Sequence, residues 1–438
     1  MKKKGSKLIF IELNEVNFDI ASSYIDNGEH LPGFKRLIEK GIINTVSESK
    51  YENLEPWVQW PSIHTGKTFD EHKVFRLGDF VNSSHEQFFE QVEKAGFSVG
   101  AISPMNASNN LKNPAYFIPD PWTQTPSDNS FLSKSITKAI VQAVNDNSQS
   151  KLTLKTIFNL GLAFVALVKP SQYISLAKYA FSALKKPWRK ALFLDMLLYE
   201  IHKTLFKRKN PNFSTLFLNA GAHIQHHYFF NSPYVDSPEL KNPAWYIGKD
   251  IDPFFEMLKV YDEMLIDLFK LSNTEIIIAT GLSQKPFEHL KFYYRIKDHS
   301  SFLEKLGVEF NDVVPRMTRD FMVSFDSEEQ ALKAEKQLSK ILVNNEVKLF
   351  EEIDNRGIDI YVVLTYPSEI TDKTIVSYSG KELQLSDLVT FVAIKNGKHQ
   401  GKGFAYFSEG ILEFAPSHKS HVSKIHDTVL NYFDIKSH

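Results

Sequence analysis

Apolar positions along the chain come in short runs separated by turn residues. Leu8-Ile9-Phe10-Ile11 reads as a buried strand, and Leu31-Pro32-Gly33-Phe34 opens a helical pattern running through Leu37 and Ile38 to a stop at Gly41. A helix from Glu86 to Lys94, ended by Gly96, precedes a strand at Ser98–Ile102. Further strands are predicted at Thr215–Leu218 and Glu275–Ala279, with an amphipathic helix from Pro253 to Leu271 between them. Strands alternating with helices predict an α/β fold, a mostly parallel central sheet with helices on both faces.

Two stretches depart from this alternation. Residues 151–210 are helical throughout and rich in Leu, Phe and Ala. Residues 316–395 carry a strand at Asp320–Phe325, a helix at Ser327–Leu342 and a second strand at Asp359–Leu364, which predicts a small α+β insertion. The 438 residues are therefore expected to divide into a first part of the core (1–150), a basic helical insert or cap (151–210), a second part of the core (211–315), the insertion (316–395) and a closing part of the core (396–438).

Charge changes the picture locally rather than globally. Lysine plus arginine is 51 and aspartate plus glutamate 52, a balance that argues against a nucleic-acid binder. Within 151–210, however, twelve basic residues face only Asp195 and Glu200. That excess suits either a solvated cap or an interfacial surface facing anionic lipid or a lipid-linked substrate. The longest apolar stretch, Ile157–Val168, is too short for a spanning helix, which needs about 20 residues. The run at Leu8–Ile11 stops at Glu12, short of a signal-peptide core. The expected location is cytoplasmic, peripheral at the inner face of the membrane if the insert docks there. No cysteine is present, so thiol nucleophiles, thiolate metal sites and disulfides are excluded, and the 15 histidines become the candidate chemistry.

Three segments concentrate that chemistry. Residues 53–66 hold Glu55, Trp57, Gln59, Trp60 and His64 in one loop-to-helix passage, followed by Glu71-His72; indoles beside amides and carboxylates suit a sugar or base pocket. Asn219, His223, Gln225, His226 and His227 follow directly on the strand ending at Leu218, at the carboxyl end where parallel sheets bind ligands. His399 lies among the glycines of Lys398–Gly403. Glu12 and Asn14, two apart on a strand, share a face, and Lys67 and Arg76 could take a phosphate or carboxylate. Asp120-Pro121-Trp122-Thr123 adds an aromatic, polar loop.

The order of these pieces resembles the alkaline phosphatase superfamily, in particular its type I phosphodiesterase/nucleotide pyrophosphatase and sulfatase-like branches. Residues 8–43 resemble that family's first strand and its Leu-Pro-x-Phe-x-x-Leu-Ile-x-x-Gly helix, and Thr65-Gly66-Lys67 with Glu71-His72 its Thr-Gly-Lys…Glu-His signature. Ala222 to His226 stands where the family has Asp-x-x-x-His, Tyr261-Asp262-Glu263 matches the helix that follows, His399 resembles the late metal histidine, and His426–Leu430 the closing helix. The resemblance implies two metal ions with a Thr or Ser nucleophile between them, but the chain departs from this set. The first-strand aspartate is Asn14, the nucleophile register falls near Glu55-Pro56, the second aspartate is Ala222, and the later Asp-His pair is Thr280-Gly281. Of the implied ligands only His226 and His399 remain, with Glu12, Glu55 or His223 as substitutes, so a divalent metal is disfavoured.

If the resemblance holds, one crevice gathers Glu12, Asn14, Glu15, Asn17, Glu55, Gln59, His64, Asn219, Gln225, His226, Gln284 and His399. The expectation is a metal-poor enzyme that hydrolyses or transfers a group on a phosphorylated or nucleotide-linked glycan. Glu55 or Glu12 pairs with His226 or His399 as acid and base, and Asn14, Trp57, Gln59, Trp60, His64, Arg76, Asn219, His223, Gln225 and Gln284 bind substrate. Two alternatives stand beside it. One is a glycosyltransferase using an activated sugar donor in bacterial-type surface polysaccharide assembly. The other is a non-catalytic protein that binds a carbohydrate or lipid head group.

Overall fold

The computed structural model describes residues 7–145, 161, 167–235, 240–316 and 319–436. They form two compact units, one of Met1–Asp236, Lys249–Pro286 and Gly397–His438, the other of Ser237–Gly248 and Phe287–Asn396. The first unit is built on a seven-stranded sheet: β1 (Lys7–Leu13), β2 (Ile43–Val46), β3 (Val99–Ile102), β4 (Tyr116–Ile118), β5 (Phe213–Leu218), β6 (Thr274–Ala279) and β7 (Lys402–Phe407). Their spatial order is β2-β7-β6-β1-β5-β3-β4. The run from β6 through β1, β5 and β3 to β4 is parallel, and β7 joins antiparallel to β6 and β2. The α/β architecture is thus the one the alternation predicts.

β1 is the central strand, and six of its seven residues are buried because other elements cover both its faces. One face packs on an aromatic layer of Phe10, Trp60, Phe88, Phe89, Phe117, Phe213 and Phe217. That layer includes α1 (Pro56–Thr65), which starts after Glu55 with Pro56 in its first turn and ends at Gly66 in the left-handed region, φ 72°. The helices used below are α2 (Tyr173–Ser182), α3 (Arg189–Lys209), α4 (Ala220–Tyr228) and α5 (Pro253–Leu268). α5 is capped by Asp252, whose side chain accepts from Phe255 N, and it buries the apolar face read from its periodicity.

The expected insert at 151–210 does not form a unit of its own. α2 and α3 belong to the first unit, and α3 packs beside β5 and α4; residues 151–160 and 162–166 lie outside the described residues. Among the described residues no helix is long and apolar enough to cross a membrane.

The second unit is α+β and runs from Phe287 to Asn396, starting before the 316 expected for the insertion, and takes in 237–248. The difference has a physical source. The strand Ser283–Ile296 carries Phe292, Tyr294 and Ile296 into that unit's core beside Phe321, Val323, Ile360 and Val362. Its helix stops at Leu338 rather than 342, because Leu342–Val343 pairs as a strand with Val376–Ser377. The chain returns to the first unit along Val389–Gln400, so His399 sits on a strand and not in a glycine loop.

Candidate functional site

At the carboxyl edge of the sheet β1 and β5 end in step, at Leu13 and Leu218, and β6 ends at Ala279, opposite Glu12. Just past β1, Glu15 adopts a left-handed backbone, φ 62°, and its N–H donates to Thr280 O at 3.1 Å. This turn breaks the strand alternation and brings the Glu15 carboxylate to two histidines. Its Oε2 lies 3.2 Å from His226 Nε2, on α4, and 3.0 Å from His399 Nε2, with the two Nε2 atoms 3.2 Å apart. Amides hold the carboxylate in place. Gln284 Nε2 donates to Oε2 at 2.6 Å and to Ala222 O at 3.0 Å, while Asn14 Nδ2 donates to Oε1 at 3.1 Å and to Asn219 Oδ1 at 2.8 Å. Trp60 Nε1 in turn donates to Asn14 Oδ1 at 2.8 Å, and Gln225 Nε2 donates to Glu15 O at 2.9 Å.

Burial opposes charge on Glu15, but the imidazoles of His399 and His226 overcome it and hold the carboxyl far below the usual carboxylate range. For His399, burial again works against charge, and the Glu15 carboxylate with help from Glu55 outweighs it, pushing the imidazole up to about 9. Glu55 Oε2 faces the other ring nitrogen, Nδ1, at 3.4 Å.

The donor set fits a divalent cation. Zinc-class bonds of about 2.0–2.1 Å at tetrahedral angles place neighbouring donors about 3.3 Å apart, close to the observed triangle. Two histidines and one carboxylate with an outer carboxylate on the far nitrogen of one histidine also match how such ions are held. Among the described residues this is the one group of three or more acidic or imidazole side chains whose donor atoms converge. Asn14, in the implied aspartate position, has both ends of its amide engaged by protein.

Several predicted site residues lie elsewhere. Glu12 and His64 are fully buried, with Glu12 Oε1 3.5 Å from His64 Nε2 and none of their four polar atoms hydrogen-bonded. Trp60 is likewise enclosed, edge-on to Phe217, so no sugar reaches its ring. Trp57 packs against the aromatic layer and donates its indole N–H to Phe75 O, and Gln59 is buried with its amide on Asn53 O. Arg76 is exposed and serves its own turn with Asp79. His223 meets His227 edge-on with ring centres 4.8 Å apart, and burial pushes its imidazole down to about 4. Lys67 contacts His85, Glu71 closes a capping box with Thr68, and His72 meets Ser62. Asp120 accepts from Asn106, Trp122 and Thr123 and holds its own loop.

The structure therefore joins Glu15, His226, His399 and Glu55, wired through Asn14, Asn219, Gln225 and Gln284. Sequence reading counted Glu15 as a crevice residue but not as a ligand. The available signal was its position immediately after the strand whose Asn14 stands for the implied aspartate. A second contributor, Asp195, was seen only as an acid in the basic insert. Its carboxylate accepts from Asn219 N at 3.2 Å, Ala220 N at 2.8 Å and Tyr261 OH at 2.6 Å, capping the helix that carries His226. Two glycines are needed for close approach. A side chain at Gly221 would strike Val16, and one at Gly397 would strike Gln284 Oε1 and Gln225 O.

No family model and no curated protein matches the chain. Similar solved structures include phosphonoacetate hydrolase from Sinorhizobium meliloti 1021 in complex with phosphonoformate, at 12% identity and a TM-score of 0.45, covering 98% of this chain and 96% of that one. Alkaline phosphatase from the Antarctic bacterium TAB5 aligns at 11% identity and a TM-score of 0.42, covering 99% of this chain and 100% of that one. Human ectonucleotide pyrophosphatase/phosphodiesterase 5 aligns at 11% identity and a TM-score of 0.40, covering 99% and 96%. An alkaline phosphatase, for which the superfamily resembled by the sequence motifs is named, is thus among them. Likeness at this level carries no argument about chemistry.

Proposed function

We propose that this chain is a metal-assisted hydrolase of phosphorylated small molecules, with one divalent cation held by Glu15, His226 and His399. The observation that carries this reading is the 3.0–3.2 Å triangle of Oε2 and two Nε2 atoms. Glu15 supplies a carboxylate in place of those that Asn14 and Ala222 lack. Such a cation, when bound, supplies a Lewis acid that stabilises charge on a phosphoryl oxygen. Magnitudes favour this over acid–base work alone, which gives about 10²–10⁴-fold against the far larger acceleration that phosphate-ester hydrolysis requires.

No hydroxyl occupies the nucleophile register at Glu55-Pro56, so water attacks phosphorus as the ester P–O bond breaks and its proton passes to the departing alcohol oxygen, while Glu55, on Nδ1 of His399, keeps that imidazole oriented. Asn14 and Gln284 keep Glu15 aimed at the two histidines. The sugar part of the expectation is not carried forward, since Trp60 is enclosed and Trp57 is packed.

The test is elemental analysis and zinc or manganese titration of the purified chain, with hydrolysis of p-nitrophenyl phosphate and its bis ester. Stoichiometric metal, and turnover lost on chelation and in His226→Ala, is the expected result. A metal-free chain that neither binds added ions nor turns over either ester sinks the reading and leaves the non-catalytic binder.

A further inference from the structure

The basic layer of the first unit divides its charges unequally. Arg189 Nε is 2.6 Å from Glu256, and Lys203 Nζ is 2.6 Å from Glu200 and 2.8 Å from Asp267, so these inward cations are neutralised by protein. α2 and the turn after it differ. From Lys169 to Lys190 there is no acidic residue at all. Ile174, Phe181 and Leu184 are 84%, 77% and 87% exposed, while Leu176 on the opposite side is fully buried.

Within α2, at 100° per residue, Ile174, Lys178 and Phe181 fall on one outward face, and the exposed Leu184 and Lys185 lie in the turn that follows. Lys178 and Lys185 are exposed. Three large apolar side chains held in water on one face are costly, and the flanking lysines carry long stems that can lie along an apolar layer while their ammonium groups stay at its rim. We infer that this face, Ile174-Lys178-Phe181-Leu184-Lys185, is a docking surface for an anionic lipid bilayer, lying in the interface rather than spanning it. Charge complementarity commits the occupant. A segment with lysines and no acidic residue of its own is attracted to anionic head groups.

Flotation of the full chain with vesicles of phosphatidylcholine, alone or mixed with phosphatidylglycerol, tests this. Binding is expected only to the mixed vesicles, weakening as salt rises. The triple variant Ile174→Glu, Phe181→Glu, Leu184→Glu is expected to lose at least about 10-fold in partition. Lys178→Gln with Lys185→Gln is expected to weaken binding and flatten its salt dependence. All five side chains point outward, so an unchanged thermal midpoint and unchanged metal titration in each variant show that the fold and the Glu15 cluster are intact. Absence of flotation at low salt overturns the inference, as does equal flotation of the triple variant. So does a soluble dimer, by light scattering, that the triple variant dissociates without any vesicle binding. None of these results bears on the metal reading.

Discussion

Glu12 and Glu15 stand three residues apart, at the end of one strand and just past it, and each faces imidazole. Their surroundings make them opposites. Glu12 meets His64 at 3.5 Å inside the aromatic layer, with no hydrogen bond to any of the four polar atoms. Glu15 meets two histidines at the sheet edge, with side-chain amides on both carboxylate oxygens and His226 open to solvent on its outer side. The same two residue types therefore make an enclosed pair in one place and a hydrogen-bonded cluster reached by solvent in the other. Hydrogen-bonded orientation and access to solvent separate the two roles, not residue identity.

The strongest way to break this contrast is to exchange the two glutamates' fates. Glu15→Ala is expected to weaken zinc or manganese binding by about 10³-fold, about 4 kcal/mol by titration calorimetry, whereas Glu12→Gln should leave it within about 3-fold. Equal losses would mean that the buried pair also serves the metal. Next comes stability. Glu12→Ala leaves His64 alone in the aromatic layer and should cost about 3 kcal/mol in urea unfolding, while Glu12→Leu with His64→Phe should recover most or all of it. A double variant less stable than either single one would show that the pair is worth more than its burial costs.

A third measurement concerns Asp195, whose carboxyl is pushed up to about 6 by burial against its hydrogen bonds from Tyr261 and the α4 backbone. Below pH 3.8 both folded and unfolded chains hold the proton and nothing is lost. As pH rises from 3.8 to about 6 the unfolded chain ionises first, so stability falls by about 2–3 kcal/mol across that window and is level above it. In Asp195→Asn that segment of the stability–pH curve should be absent; an unchanged slope would assign it to another group. The smallest effect is expected of Trp60→Phe, which keeps the ring in the core but removes the N–H on Asn14. Metal affinity should drop about 10-fold, as for an outer-layer contact, and the smaller buried ring should cost about 1–2 kcal/mol in urea unfolding.

The parallel core was legible because β1, β3, β5 and β6 are apolar runs bounded by turns. The short β2 and β4, and β7, whose start at Lys402-Gly403 reads as loop, were not. At the site, His226 and His399 stood out by type and by place after a strand. Glu15 did not stand out as a ligand, because alternation assigns it the face opposite Asn14 and only the left-handed turn overrides that. Trp60, His64 and Glu12 misled in the other direction. Polar and indole groups close in sequence suggest a pocket, but the rings that enclose them, Phe88, Phe89 and Phe217, come from distant segments that no local pattern announces.

The Asp195 cap has a consequence for any attempt to shorten the chain. Trimming the helical layer to its sequence neighbours would seem harmless, since that layer supplies no ligand. It would nonetheless strip the N-terminal seat from the helix bearing His226 and leave Tyr261 donating to nothing. The layer is thus a keystone, and a shortened protein would keep Glu15, His226 and His399 yet lose the alignment among them.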